Sequence, residues 1–147
     1  MDIYKLNNKR LDSVESVNFD SEKEIQSIVE HNSKELFYLT FVKSEVVCES
    51  FRFDSLCWDE ENNSFVIIEY KNSKSSSVID QGYSYLSTML NNKSDFILEY
   101  IENMDQSLKK ENVDWSQSRV IFVSPSFTEY QKNSVNFKDV PFELWEI

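Results

Sequence analysis

Glycine is almost missing from this chain. Among 147 residues there is one glycine, Gly82, and there are two prolines, Pro125 and Pro141. So few turn-formers exclude a collagen-like or linker-rich protein and favour regular elements joined by short connections. Cysteine is equally scarce. Cys48 and Cys57 are too few for a disulfide framework and stand in no metal-ligand spacing. With His31 as the single histidine, a zinc site of the Cys/His kind is not expected. No stretch approaches the roughly 20 apolar residues of a membrane span. The opening "MDIYKLNNKR" has no apolar run of signal-peptide length. A reduced, cytoplasmic protein with no membrane partner is the expectation.

Basic residues are also in short supply: 15 Lys and Arg stand against 26 Asp and Glu, a formal net charge of −11. That excludes a surface built simply to coat phosphates, because nonspecific nucleic-acid affinity comes from cationic side chains neutralising them. It does not exclude an acidic metal-dependent site with a local basic rim. Solubility alone also accounts for most of such a charge.

What the chain does have is core material, 40% hydrophobic residues and 14% aromatic. That suits one folded domain. The reading places it over 21–147, after a lead-in, 1–20, with a strand at 14–19. No internal repeat is visible. Ser21 is a good N-cap and Glu24, three residues on, completes a capping box. The helix that follows carries Ile25, Ile28 and Val29 on one face and ends near His31, where a cation is favourable. Aromatic and β-branched residues predict a strand over 36–47. A hairpin follows, with strands over 51–59 and 65–71 around a turn at 60–64. Residues 72–77, "NSKSSS", read as a loop that could border a phosphate path. The spacing of Ile79, Tyr83, Leu86 and Leu90 predicts a helix over 78–90, and that of Ile97, Ile101, Met104 and Leu108 a second over 95–109. A strand at 119–124, a short helix at 128–136 and a closing strand complete an α/β layer arrangement around a mixed sheet. Trp58, Trp115 and Trp145 are expected to pack in the core or at its edges rather than to stack on bases.

One cluster carries chemistry. Residues i and i+2 of a strand share a face, so Glu69 and Lys71 point the same way. If the hairpin pairs across its turn, Asp54 approaches Glu69. Two carboxylates suit a hard divalent cation such as Mg2+ or Mn2+. A lysine beside them can orient a water or neutralise developing charge. Crowded carboxylates should also raise the pKa of at least one of Asp54, Glu69 and Glu22. Gln81 and Tyr85 are four apart, share a helical face outside the apolar stripe, and could look at the same spot. Taken alone, Glu69 and Lys71 would fit a solvated strand end better than a site.

"FRFDSLCWDEENNSFVIIEYK" resembles the core of the PD-(D/E)XK nuclease superfamily: an aspartate, a hairpin, then Glu-x-Lys at the end of the next strand. "DQGYSYL" resembles the Gln-x-x-x-Tyr element of its RecB-like and NucS-type endonuclease branches. "SEKEIQSIVEHN" is similar to their acid-bearing helix, and "VDWSQSRVIFVSPSFTEYQ" to the later strand and helix of NucS-like domains. The resemblance spans roughly 20–147. It implies a restriction-endonuclease-like core, a mixed central sheet flanked by helices. It also implies a metal-dependent endonuclease acting on DNA in preference to RNA, with a homodimer left open. Asp54, Glu69 and the backbone carbonyl of Tyr70 would hold Mg2+ or Mn2+, and Lys71 would be the catalytic lysine. Glu22 would be the helix acid, with Glu24 as its rival. Gln81 and Tyr85 would support the site or touch the nucleic-acid backbone, while Glu45 is a nearby acid of open role. Phe53 replaces the proline that precedes the aspartate. The DNA-binding N-terminal domain of full NucS-type enzymes has no counterpart in the sequence. A second reading, a nuclease-like domain kept as a nucleic-acid or protein binding module, stays beside the first.

Overall fold

Seven consecutive buried residues, Ser64–Tyr70, form the strand around which the chain is organised. The computed structural model describes residues 1–72 and 78–147. In chain order its elements are β1 (Ile3–Asn7), β2 (Arg10–Val14), α1 (Glu22–His31), α2 (Ser33–Phe37), β3 (Thr40–Cys48), β4 (Phe51–Asp59), β5 (Ser64–Tyr70), α3 (Val78–Asn91), α4 (Lys93–Met104), β6 (Arg119–Ser124), α5 (Glu129–Val135) and β7 (Phe142–Glu146). Strands β3 to β7 make a five-stranded sheet in sequence order. The pairs β3–β4 and β4–β5 are antiparallel, while β5–β6 and β6–β7 are parallel. This is the expected mixed sheet flanked by helices.

Strand alternation divides the interior into two layers. Phe65 and Ile67 of β5 join Phe53, Leu56, Leu86, Met89 and Phe96 under α3 and α4. Val66, Ile68 and Tyr70 join Ile25, Val29, Cys57 and Ile121 under α1 and α2. A strand covered on both faces has no polar face to show, which is why β5 reads as a continuous apolar run. The single glycine serves this packing. A Cβ on Gly82 would stand 2.6 Å from Cε1 of Phe142, so its absence lets α3 settle on β7.

Several local expectations are corrected. The lead-in forms a hairpin, β1–β2, instead of a strand over 14–19. Its turn residues Asn8 and Lys9 both have positive φ, a backbone that the right-handed twist of a two-residue hairpin requires. The strand expected from 36 begins only at Thr40. A short helix, α2, comes first and ends at Tyr38 in left-handed conformation, φ 58°. Helix α4 stops at Met104 because Asp105 turns left-handed; Met104 and Leu108 still pack on the core. On α3 the buried face is Val78, Gly82, Tyr85, Leu86 and Met89, whereas Tyr83 and Leu90 are exposed. Ile28 is likewise exposed, and Gln26 is buried in its place. The expected capping box is half made: Ser21 Oγ accepts from Glu24 N, but the Glu24 carboxylate accepts from Asp20 N. Of the segment read as a loop, residues 73–77 lie outside the described residues.

Trp58 is buried, Trp115 packs on Phe65, and Trp145 meets Phe37 edge to face, as expected of packing residues. His31 closes α1 with Nδ1 donating to Ser27 O. Among the described residues no helix is long and apolar enough to cross a membrane.

Candidate active site

Paired residues of β4 and β5 run from Asp59 with Ser64 to Ser55 with Ile68. The next rung would set Asp54 against Glu69, and there the strands part. Phe53 faces the α3 layer while Ser55 hydrogen-bonds Glu30 of α1, so β4 loses its alternation at Asp54. Across from it, Glu45 of β3 has φ 56°, and Ser44 and Val46 on either side also face opposite layers. Backbone strain of this kind marks a place where the surroundings over-determine the chain. The consequence is local: Asp54 is carried into the gap between β4 and β5.

The freed backbone groups are taken up by side chains. Asp54 Oδ2 accepts from Tyr70 N at 3.1 Å, and Gln26 Nε2 of α1 donates to Asp54 O at 3.0 Å. Glu69 points into the α3 layer, where Gln81 Nε2 and the Tyr85 hydroxyl donate to its Oε1 at 3.2 and 3.3 Å. Gln81 Nε2 is also 2.8 Å from the Tyr85 oxygen. Lys71 Nζ stands 3.7 Å from the same Oε1, with its side chain 20% exposed. Three donors thus converge on one oxygen. The other, Oε2, is buried and has no hydrogen-bond partner among the described residues. An unpaired buried acceptor is costly and calls for a positive charge or a donor.

Electrostatics agrees with the geometry. Burial, then the adjacent Asp54, push the Glu69 carboxyl up to about 7, against the pull of Lys71. Burial likewise raises Asp54, although the Tyr70 N–H, a hydrogen bond shared with Glu69, and the Lys71 charge oppose it. The expected pKa rise is present, with desolvation rather than mutual repulsion as its main cause. Burial and the two carboxylates raise Tyr85, which keeps its hydroxyl a donor.

The structure brings Asp54, Glu69, Lys71, Gln81 and Tyr85 together. Glu22 lies at the margin: its Oε1 accepts from Asn72 N at 3.1 Å, and its charge reaches Asp54. Glu24 turns back to Asp20 N, so Glu22 is the acid of α1 that faces the site. Glu45 is paired with Lys23 of α1. Among the described residues no three Asp, Glu, His or Cys side chains gather closely enough to form a metal-binding group. Asp54 and Glu69 offer two carboxylates, and a divalent cation between them would need further oxygens from backbone or water, a donor set of the kind Mg2+ or Mn2+ takes. The buried, unpartnered Oε2 of Glu69 fits such an ion.

Sequence reading missed the polar stripe of α1. Glu22, Gln26 and Glu30 recur every four residues on one face, a spacing that could have flagged Gln26 and Glu30. Glu30 accepts from Ser44 Oγ, Ser55 Oγ and Gln26 Nε2 at 2.7, 2.6 and 2.9 Å.

Known proteins place this arrangement in context. No family model matches the chain. An uncharacterized protein of Haemophilus influenzae (strain ATCC 51907 / DSM 11121 / KW20 / Rd) is 47% identical over 147 residues. The match takes in 100% of this chain and 49% of that protein, so the chain spans about half the length of the curated relative it matches. Among solved structures, a repair endonuclease from Pyrococcus abyssi superposes with a TM-score of 0.60 at 16% identity, over 99% of this chain and 65% of that one. EndoMS in complex with double-stranded DNA gives 0.59 at 19% identity, over 92% and 48%. EndoMS in its apo form gives 0.56 at 17% identity, over 93% and 50%. At such identities the likeness is one of fold: this chain shares the fold of EndoMS and of the Pyrococcus abyssi repair endonuclease.

Proposed function

We propose that this chain is a Mg2+- or Mn2+-dependent nuclease domain that hydrolyses phosphodiester bonds in DNA, with RNA the lesser candidate. One observation carries the reading. Asp54 and Glu69 meet where two strands part, Lys71 stands over one oxygen of Glu69, and the other oxygen is buried without a partner. In this reading Asp54, Glu69 and the Tyr70 carbonyl would hold the cation. When bound, it supplies a water of lowered pKa and positive charge beside the phosphoryl oxygens. Burial favours the protonated form of both carboxyls, and the charge of a bound dication would favour the ionised form instead.

The chain's own residues do the rest. Gln81 and Tyr85 fix the rotamer of Glu69 by holding Oε1, which leaves Oε2 free. Lys71 is tethered by the same oxygen and partly exposed, so its ammonium can orient the attacking water or neutralise charge on the phosphoryl group. Glu22 borders the entrance through its bond to Asn72 N. DNA is favoured as the partner because the EndoMS neighbour is a complex with double-stranded DNA. Two buried free thiols, Cys48 and Cys57, suit a reducing cytoplasmic setting.

The test is cleavage of duplex, single-stranded and branched DNA with Mg2+ or Mn2+. Wild type should cut at least one class, and Asp54→Ala should not. A second reading, a nuclease-like binding module, draws on the net charge of −11. Wild-type protein that binds DNA yet cuts no substrate with either ion would favour it.

A further inference from the structure

The gap that admits Asp54 and Glu69 has a strut behind it. Ser55 and Tyr70, the residues that follow the two carboxylates, point to the α1 side of the sheet, and their hydroxyl oxygens meet at 2.8 Å. Ser55 Oγ also lies 2.6 Å from Glu30 Oε1. Gln26 Nε2 sits between, 2.9 Å from Glu30 Oε1 and 3.0 Å from Asp54 O.

The hydrogens can be assigned without conflict. Tyr70 donates to Ser55, Ser55 and Ser44 donate to Glu30, and Gln26 gives one amide hydrogen to Glu30 and the other to Asp54 O. Every donor is used, and α1, β3, β4 and β5 are tied at one point. A satisfied buried network of this kind rigidifies what it touches. Here it touches the carbonyl of Asp54 and the side chains next in line to both carboxylates. No β4–β5 backbone rung does that work, since that pairing ends at Ser55 and Ile68, and the Tyr70 N–H bond to Asp54 Oδ2 is the tie that crosses the gap from the backbone side.

We propose that Gln26, held by Glu30, is a positioning residue that sets the separation of Asp54 and Glu69 so that one divalent cation fits between them. This rests on the metal-site reading above. Gln26 is 6% exposed, and it touches the main chain of Asp54 rather than its carboxylate. It therefore acts through Asp54 and not on the reacting atoms.

The experiment is calorimetric titration of Mn2+ into wild type, Gln26→Met and Val29→Ala, well below each melting temperature. Methionine keeps the volume and removes both amide donors. Val29 is fully buried on the same helix and has no polar side-chain atom to join the network's hydrogen bonds, so its truncation measures what plain destabilisation does. Gln26→Met should lose about 10-fold or more in Mn2+ affinity, as supporting residues of metal sites do, while Val29→Ala melts lower and binds Mn2+ like wild type. Should Gln26→Met fail to fold, Ser55→Ala, which removes one hydroxyl, should lower affinity in the same direction. Equal affinity in wild type and Gln26→Met, or an equal loss in Gln26→Met and Val29→Ala, overturns the proposal. A wild type that binds no Mn2+ instead overturns the metal-site reading beneath it.

Discussion

Asp54 and Glu69 occupy the rung just past the last paired residues of β4 and β5, and burial holds both carboxyls above their ordinary range. A raised acid pKa means that the folded state binds protons more tightly than the unfolded one. Stability from Glu69 is then fully present below its unfolded value, 4.5, and is lost as pH rises toward about 7. Across that window, the metal-free protein should lose stability through this group. Thermal melting from pH 4.5 to 7.5 in chelator should show the fall. Millimolar Mn2+ should restore the loss at neutral pH, because it binds only the folded site.

Tyr85→Phe keeps the ring that packs edge to face on Phe53 at 4.7 Å and removes the hydroxyl that donates to Glu69 Oε1 and accepts from Gln81 Nε2. That bond lowers the Glu69 pKa, so its loss should raise it further and shift Mn2+ binding to higher pH. Gln81 still holds the same oxygen. Cleavage should fall by less than in Lys71→Ala, because Gln81 keeps its hold on the carboxylate. Binding isotherms across pH check the direction.

Gly82→Ala sets helix propensity against packing. Alanine gains about 1 kcal/mol in a helix interior, but its Cβ would meet Phe142 at 2.6 Å. Phe142 is 5% exposed and has little room to yield. A net drop in melting temperature is expected, and adding Phe142→Leu should recover part of it. Simple additivity in this double-mutant cycle would refute the contact.

Much of this architecture is legible in the chain because local and long-range signals agree. The apolar run of β5, the hairpin before it and the spacing of Glu69 and Lys71 all follow from strand geometry, and they put Asp54 beside Glu69. The missed parts depend on backbone that no side-chain pattern announces. Asn8, Lys9, Tyr38 and Asp105 take positive φ without being glycine. They make the first hairpin, delay β3 and end α4. The α3 face was misjudged because Gly82 permits an approach that turns Tyr85 inward and Tyr83 outward. The network around Glu30 was hidden for another reason. Ser44, Ser55 and Tyr70 are ordinary strand residues until the fold sets α1 across them.

The most direct test is calorimetric titration of Mn2+ into wild type, Glu69→Ala and Lys71→Ala at neutral pH, with DNA cleavage measured on the same samples. The account predicts one site in wild type, none in Glu69→Ala, and a largely retained site in Lys71→Ala whose cleavage rate is lower by about 100-fold or more. Absence of Mn2+ binding in wild type, or binding by Glu69→Ala equal to wild type, would contradict it.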